Sequence, residues 1–182
     1  RYDREEVVAE AERVAIVDNA APQSINTTTF ATVDGRLAIR WVASPRPAFQ
    51  QYEIWQFMDT GDVRRATIRD RDATQWIDST TVGGTVKYAV NLTVGNETAQ
   101  GVLAEQTFPI SEILDVDAPD LTTRTLTWSA SPFPANVTGY AIDRIRRSSS
   151  EDPERLDVVS DTTYTDVIPA WFGSTFVYTV RA

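Results

Sequence analysis

Residues 41–48 read Trp-Val-Ala-Ser-Pro-Arg-Pro-Ala, and 87 residues later, at 128–135, the chain reads Trp-Ser-Ala-Ser-Pro-Phe-Pro-Ala. Three shorter segments follow each copy in the same order. Tyr52-Glu53-Ile54 matches Tyr140-Ala141-Ile142, Trp76-Ile77-Asp78 matches Tyr164-Thr165-Asp166, and Tyr88-Ala89-Val90 matches Tyr178-Thr179-Val180. A repeat of this length in a chain of 182 residues predicts two small modules built alike.

The hydrophobic pattern around the repeated stretch has a period of two. Leu37, Ile39 and Trp41 alternate with Arg36, Ala38 and Arg40, which predicts a strand with one buried face. Similar runs predict strands at 25–33, 52–57, 63–68, 74–78, 86–92 and 102–108, then at 123–128, 139–146, 156–159, 163–166 and 175–182. Seven short strands suit a small two-sheet sandwich, so we expect an all-β protein.

The predicted boundaries divide the chain into three parts. Residues 1–21 contain a short amphipathic helix over 3–17 and a linker, residues 22–110 form the first module, and residues 111–182 form the second. We expect residues 111–119 to be a linker and the second module to lack its last strand within this chain. Either a longer natural chain or a partner strand added at the open edge would then complete the second sheet.

With these residues in place, both halves resemble fibronectin type III modules of the microbial or viral type. The resemblance rests on the tryptophans and on four further patterns. They are Tyr52-Glu53-Ile54, Tyr140-Ala141-Ile142, the Thr-x-aromatic-x-Asp segments that end at Asp78 and Asp166, and the Thr-x-x-Tyr-x-Val segments at 85–90 and 175–180. It implies tandem immunoglobulin-like β-sandwiches, buried tryptophans, and corner tyrosines at Tyr88 and Tyr178 whose hydroxyls bond to the backbone. The fold itself does not specify a function.

Composition excludes several classes of function. The chain has no cysteine and no histidine, so it lacks disulfides, the usual proton-transfer side chain and the commonest neutral metal ligand. A formal net charge of −9 disfavours nucleic acids and anionic membranes as partners, because phosphate binding needs clustered Lys and Arg. No run of residues has the length and apolarity of a membrane span. We therefore expect no nucleic-acid partner and no insertion into a membrane.

The residues offer little for catalysis or metal binding. Lys87 has no serine tied to it by a motif, and Asp70 and Asp72 belong to a charged stretch that reads as a solvated turn. Asp115, Asp117 and Asp120 place three carboxylates between the modules, which is a weak candidate for Ca²⁺ because the loop lacks the length and glycine of a dedicated site. We predict no catalytic residue, no enzymatic activity and no cofactor.

Four of the five asparagines that we count begin an Asn-x-Ser/Thr triplet, the acceptor pattern for N-glycosylation in exported proteins. A threonine-rich β protein also produces such triplets by chance. The candidate sites are Asn26, Asn91, Asn96 and Asn136.

Large side chains in predicted loops are candidates for binding, because exposed aromatics often mark contacts. The two proline-stiffened loops supply three of them, and a stiff loop loses little entropy on binding. Trp171 and Phe172 would either fill the end of the second sandwich or, if exposed, contact a neighbouring chain or sugar rings. The candidate binding residues are Arg46, Phe49, Phe133, Trp171 and Phe172.

These observations favour a non-catalytic structural or adhesion segment of a longer protein, located outside the cell at its surface or in a virion tail or fibre. Its partners would be neighbouring proteins of an assembly, or glycans. The alternative is an accessory carbohydrate-binding or spacer module of a secreted polysaccharide-degrading enzyme. A third hypothesis is a receptor-like binder that uses the Pro-rich loops.

Overall fold

A computed structural model of the chain describes residues 21–147, 152–168 and 175–182. The described part is built almost entirely from β-strands, and it contains one 3-10 turn and no α-helix. The predicted helix at 3–17 lies outside the described residues, as do Trp171 and Phe172. No helix in the described ranges is long and apolar enough to cross a membrane.

The first module has two antiparallel sheets whose inner faces share one core. The strands are β1 (Thr29–Val33), β2 (Arg36–Arg40), β3 (Phe49–Gln56), β4 (Val63–Ile68), β5 (Gln75–Asp78), β6 (Gly84–Val94), β7 (Glu97–Ala99) and β8 (Ala104–Phe108). One sheet has the order β1-β2-β5, and the other has β4-β3-β6 with both β7 and β8 on the far edge of β6. Leu37 and Ile39 from the first sheet meet Tyr52 and Ile54 from the second, and all four are fully buried.

The second module repeats this pairing with fewer strands. They are β9 (Ile113–Asp117), β10 (Thr123–Trp128), β11 (Tyr140–Arg146), β12 (Glu154–Val159), β13 (Thr163–Val167) and β14 (Phe176–Arg181). The sheets have the orders β13-β10-β9 and β12-β11-β14. β14 corresponds to β6 of the first module, where β8 pairs with the edge that faces away from β3. Among the described residues, no strand pairs with the matching edge of β14.

The repeated tryptophans are core residues, as the resemblance implies. Trp41 and Trp128 are 4% and 3% exposed, and each ring packs on the tyrosine of the following strand, Tyr52 or Tyr140. Because both indoles fill the space between two sheets, neither lines an open pocket. The all-β fold predicted from the alternating pattern is confirmed.

The strands differ from the prediction in two details. The segment 111–119 is not only a linker, because β9 lies within it and pairs with β10, with Val116 opposite Leu126. The predicted strand at 102–108 is present as β8, which begins two residues later, and a further short strand, β7, precedes it. Between them, Gly101 lies so close to β6 that a Cβ there would be 2.2 Å from the carbonyl oxygen of Val90, which interrupts regular pairing.

Candidate functional site at the junction of the two modules

The loop that carries the second copy of the repeated motif, residues 131–136, is held in a defined shape. We call it the junction loop. The backbone N–H of Phe133 donates to the Ser131 hydroxyl at 3.0 Å, and the backbone N–H of Ser131 donates to the Tyr140 hydroxyl at 3.1 Å. A 3-10 turn, Pro134–Asn136, follows. Because proline fixes φ and serine closes a local turn, the sequence itself sets this conformation.

The first module forms the same turn from the same residue types. The backbone N–H of Ser44 donates to the Tyr52 hydroxyl at 2.6 Å, and Ser44 Oγ accepts from the backbone N–H of Arg46 at 3.3 Å. The repeat therefore encodes one loop geometry twice. The two loops differ in the side chain carried between the prolines, which is Arg46 in the first module and Phe133 in the second.

Phe133 lies in the core of the first module, although the chain places it in the second. Its side chain is fully buried, and its ring packs edge to face on Phe108 with the centroids 4.9 Å apart. The ring of Phe108 in turn packs on Phe30, with the centroids 6.3 Å apart. The ring of Phe133 therefore extends an aromatic cluster of the first module. The prediction that Phe133 is a loop residue open to an outside ligand is wrong, because the end of the first sandwich covers it.

Hydrogen bonds surround this aromatic contact and also cross between the modules. The side-chain amide Nδ2 of Asn136 donates to the carbonyl oxygens of Asp78 at 3.1 Å and Thr81 at 2.7 Å. The Ser131 hydroxyl donates to the carbonyl oxygen of Val82. These bonds satisfy carbonyl groups at the end of β5 and in the loop after it, which would otherwise need water.

A glycine turn gives the junction loop room to approach. The backbone N–H of Ala135 donates to the carbonyl oxygen of Gly35 at 3.1 Å. Gly35 has φ +70°, and a Cβ at this position would lie 3.3 Å from Cγ of Pro134. Any larger residue would therefore strain the turn and press on the loop.

A buried carboxylate orders the loop after β5, whose carbonyl groups accept hydrogen bonds from the junction loop. Asp78 is fully buried, and it accepts hydrogen bonds from the Tyr88 hydroxyl at 2.7 Å and from the backbone N–H and hydroxyl of Thr80, both at 2.7 Å. The Thr81 hydroxyl also donates to it. Burial alone would raise the pKa of Asp78, but the bonds from Thr81, Tyr88 and Thr80 outweigh it and lower that pKa. The anion thus orders the loop whose carbonyls receive Asn136.

In the second module, an ion pair stabilises the aspartate that matches Asp78. Asp166 is buried and accepts two hydrogen bonds from Arg144 Nη1, at 2.9 and 2.7 Å, and one from the Tyr178 hydroxyl at 2.7 Å. Burial and the bond to Asp166 raise the pKa of Tyr178. The prediction that Tyr88 and Tyr178 are corner tyrosines, with hydroxyls bonded to the backbone, is therefore wrong. Both hydroxyls donate to the aspartate that ends the Thr-x-aromatic-x-Asp pattern.

The remaining candidate binding residues occupy different environments. Phe49 is not in a loop, because it begins β3 and packs half-buried on Tyr52 with the centroids 4.7 Å apart. Arg46 is partly buried in the first loop. Phe49 therefore supports the core of its own module, and Arg46 is the candidate that remains in a loop of the first module.

The four glycosylation candidates also differ. Asn26 and Asn96 are exposed, and Asn96 lies in the tight turn between β6 and β7. Asn91 is half-buried, and its Oδ1 accepts from the backbone N–H of Gly101 at 2.9 Å. The nitrogen that a glycan would need at Asn136 is the atom that joins the modules. The folded protein thus presents Asn26 and Asn96 as the accessible acceptors.

The weak calcium candidate does not form a ligand cluster in the described ranges, where no group of three acidic, His or Cys side chains could hold a metal ion. Asp120 is used locally, because its carboxylate accepts from the backbone N–H and hydroxyl groups of Thr122 and Thr123 at 2.7–2.9 Å. These bonds lower the pKa of Asp120 to about 2. Asp115 accepts from the backbone N–H of Val116 at 2.9 Å, and Asp117 lies on the same strand, β9.

The sequence did not predict the junction, because the residues that form it are those in which the two copies of the repeat differ. The pattern of the repeat predicts what the two loops share, whereas Phe133 and Asn136 replace Arg46 and Phe49 at matched positions. An aromatic side chain fixed between two prolines in only one copy was the available clue. Gly35 and Phe108, which receive the loop, carry no motif of their own.

Comparison with known proteins adds little detail. No protein-family model matches the chain, and no curated protein is similar to it. The chain is similar to a two-domain fibronectin type III segment of chicken tenascin, with 13% identity and a TM-score of 0.38, covering 87% of this chain and 98% of that one. It is also similar to the central fibronectin type III array of RIM-binding protein, with 15% identity and a TM-score of 0.35, covering 91% of this chain and 59% of that one. The strand pairings described above are those expected of tandem fibronectin type III-like sandwiches.

Proposed function

We propose that the chain is a non-catalytic structural and adhesion segment of a longer extracellular protein, at a cell surface or in a virion tail or fibre. In this role the two sandwiches form a stiff spacer that holds neighbouring parts of an assembly at a fixed distance. The observation that carries the proposal is the burial of Phe133 in the core of the first module.

The stiffness follows from the way the junction loop is held. It contacts three separate parts of the first module, namely the turn at Gly35, the loop after β5 and the end of β8. A hinge motion about the linker would have to break these hydrogen bonds and expose the ring of Phe133. Burying that ring contributes about 1.5–3 kcal/mol relative to leaving it in water. The arrangement in which Phe133 is buried is therefore favoured over one in which the two modules move independently.

The non-catalytic part of the proposal rests on the chemistry of the side chains. Without His or Cys, a nucleophile would need a lysine or a carboxylate as its base. Lys87 forms a surface ion pair with Glu105 at 3.5 Å. Asp70 accepts from the backbone N–H of Asp72 at 3.0 Å in an exposed turn. Neither group is buried next to a nucleophile.

Rotational diffusion tests the spacer role directly. In ¹⁵N relaxation measurements on the full chain, we expect the amides of both modules to report one shared correlation time, because the junction couples them. The double substitution Phe133→Ala/Asn136→Ala should separate the two values and shorten both. Asn96→Ala, in an exposed turn far from the junction, is the matched control and should behave as the parent. Independent tumbling of the two modules in the parent would rule out a stiff spacer.

The extracellular setting is tested on native material. Mass spectrometry that finds sugar on Asn26 or Asn96 would support export, since these two acceptors are exposed.

The accessory module of a secreted polysaccharide-degrading enzyme remains the second candidate. Its main candidate contacts, Trp171 and Phe172, lie outside the described residues. A sedimentation assay with insoluble polysaccharides separates the two functions. Binding that Trp171→Ala abolishes would favour the accessory module, and no binding by the intact chain would remove the reason for proposing it.

A further inference from the structure

The outer face of the larger sheet of the first module carries a tryptophan that the core does not use. Trp55 lies on β3, where Tyr52 and Ile54 are fully buried core residues. Within the described residues, the core cluster of this module includes Trp41 and, packed against it, Trp76, but not Trp55. Trp55 is half-buried. The sheet therefore presents part of an indole ring to the surroundings.

A single carboxylate holds the side chains around this ring. Glu53 Oε2 accepts a hydrogen bond from the indole Nε1 of Trp55 at 3.2 Å. Glu53 Oε1 accepts from Gln51 Nε2 at 3.1 Å and from Arg64 Nη1 at 2.8 Å. The side chain of Glu53 is only 14% exposed, so these donors replace most of its water. We call these four residues the Trp55 face. Because the indole is already held in place, ordering it on binding costs little entropy.

The second module shows that the sandwich does not need this tryptophan. β3 and β11 both have a bulge directly after the matched isoleucine, Ile54 or Ile142, so Asp143 occupies the position of the tryptophan. Asp143 is buried and forms ion pairs with Arg155 of β12 and Arg181 of β14. One copy thus closes this part of its sheet with charges, whereas the other presents an aromatic ring. The ring is therefore a special feature of the first module and not a requirement of the fold.

The cations that flank the ring on the neighbouring strands are neutralised. Arg64 on β4 is paired with Glu53, and Lys87 on β6 is paired with Glu105 at 3.5 Å. Each positive charge therefore has an acidic partner, and an anionic ligand would have to compete with these carboxylates. A neutral ligand does not meet this competition.

We propose that the Trp55 face binds the pyranose ring of a neutral glycan. A pyranose has an apolar side of C–H groups, which packs on an aromatic ring, and a rim of hydroxyl groups, which need hydrogen-bond partners. The indole of Trp55 supplies the apolar contact. Gln51 and the guanidinium of Arg64, whose side chain is 52% exposed, border it with polar groups. This inference rests on the adhesion part of the proposed function, for which it supplies the class of ligand.

A titration followed by NMR tests the inference with the full chain. The chain has five tryptophans, and the indole N–H signal that is absent from Trp55→Phe identifies Trp55. The neutral probes are cellohexaose, chitohexaose and mannohexaose, and hexagalacturonate is the acidic counterpart. We expect at least one neutral probe to shift the Trp55 signal and the amides of β3 and β4 in a saturable way. The acidic probe should bind more weakly.

Substitutions connect the binding to the ring. Trp55→Ala should weaken it at least about tenfold, since truncating a central aromatic contact usually has an effect of this size. Trp55→Phe keeps a smaller ring and should retain part of the affinity, and it replaces Trp55→Ala if that variant does not fold. Val158→Ala is the matched control, because Val158 is 56% exposed on the corresponding sheet of the second module. It should bind as the parent does.

The inference is overturned if no neutral probe shifts the Trp55 signal, if affinity is unchanged in both Trp55 variants, or if the acidic probe binds best. A Trp55 signal that shifts with protein concentration in the absence of sugar would also contradict it, since the ring would then contact a second copy. The spacer role is measured separately by ¹⁵N relaxation. A single correlation time without sugar binding would therefore reject the glycan ligand and leave the spacer in place.

Discussion

At the scale of single residues, the repeat shows how one buried aspartate can be stabilised in two ways. Asp78 relies on hydroxyl and backbone donors, whereas Asp166 relies on Arg144. Arg144 also bonds Glu154 at 2.7 Å, and these partners raise its pKa against the opposing effect of burial. A buried carboxylate costs free energy unless its oxygens are paired, and both modules meet this condition with donors from neighbouring strands and loops.

The lowered pKa of Asp78 predicts how stability depends on pH. Because the folded-state pKa lies below that of the unfolded chain, the stabilisation is complete above the unfolded value, near 3.9, and is lost as pH falls through the folded value. Asp78→Asn should lower the free energy of unfolding by about 1–3 kcal/mol at neutral pH, since it weakens a charge-assisted network.

Urea unfolding at several pH values checks this prediction. The difference between parent and Asp78→Asn should narrow from about pH 5 to about pH 3, because protonation removes the same charge in the parent. Asp143, whose pKa Arg155 lowers, titrates in both proteins and cancels in the comparison. A difference that stays constant over this range would contradict the role given to the Asp78 anion.

At the scale of elements, close approach of the backbone decides where the last strands of the first module run. Gly101 separates β7 from β8 at the point where the chain touches β6. Gly101→Ala should destabilise the protein by about 1–3 kcal/mol, the usual range for forcing extra atoms into packed structure. The adjacent and exposed Gln100→Ala should change stability by less than about 0.5 kcal/mol. Thermal unfolding compares the two, and equal melting temperatures would show that the backbone can move aside.

Most strands were predictable from sequence because their burial alternates. β4 and β10 have the predicted bounds, 63–68 and 123–128, and the buried tryptophans follow from the repeat. β9 was missed because aspartate and proline dominate its surroundings, and these residues are typical of linkers. It becomes a strand because Ile113 and Val116 find partners on β10, which is tertiary information that the local composition does not contain.

At the scale of the whole molecule, the two modules are separate in their strand pairing but not in their cores. The sheets of each module pair only within that module in the described ranges. Phe133 nevertheless belongs to the first core cluster. The sequence predicted two sandwiches and left their contact open, because only the assembled structure shows which surface meets the junction loop.

Shared core residues predict shared unfolding. Phe133→Ala should lower the free energy of unfolding of the first module by about 3–5 kcal/mol, although the substitution lies in the second. We expect one cooperative transition in the parent and two in the variant, with the first module unfolding first. Hydrogen exchange followed by peptide mapping assigns each transition to its module.

Arg46→Ala is the matched control, since it alters the same loop position in the first module without touching the junction. It should leave the parent's single transition in place. A Phe133→Ala protein that loses stability mainly in the second module would contradict the assignment of this ring to the first core.

The position of Phe133 also has a consequence for synthesis on the ribosome, where domains generally fold as units and the N-terminal one first. The first module has all its own strands once Phe108 has emerged. Its aromatic cluster nevertheless lacks one ring until residue 133 has left the exit tunnel and turned back onto Phe108. Completion of the earlier domain is thus timed by the translation of the later one, so that the nascent chain acquires its final strength only when both are present.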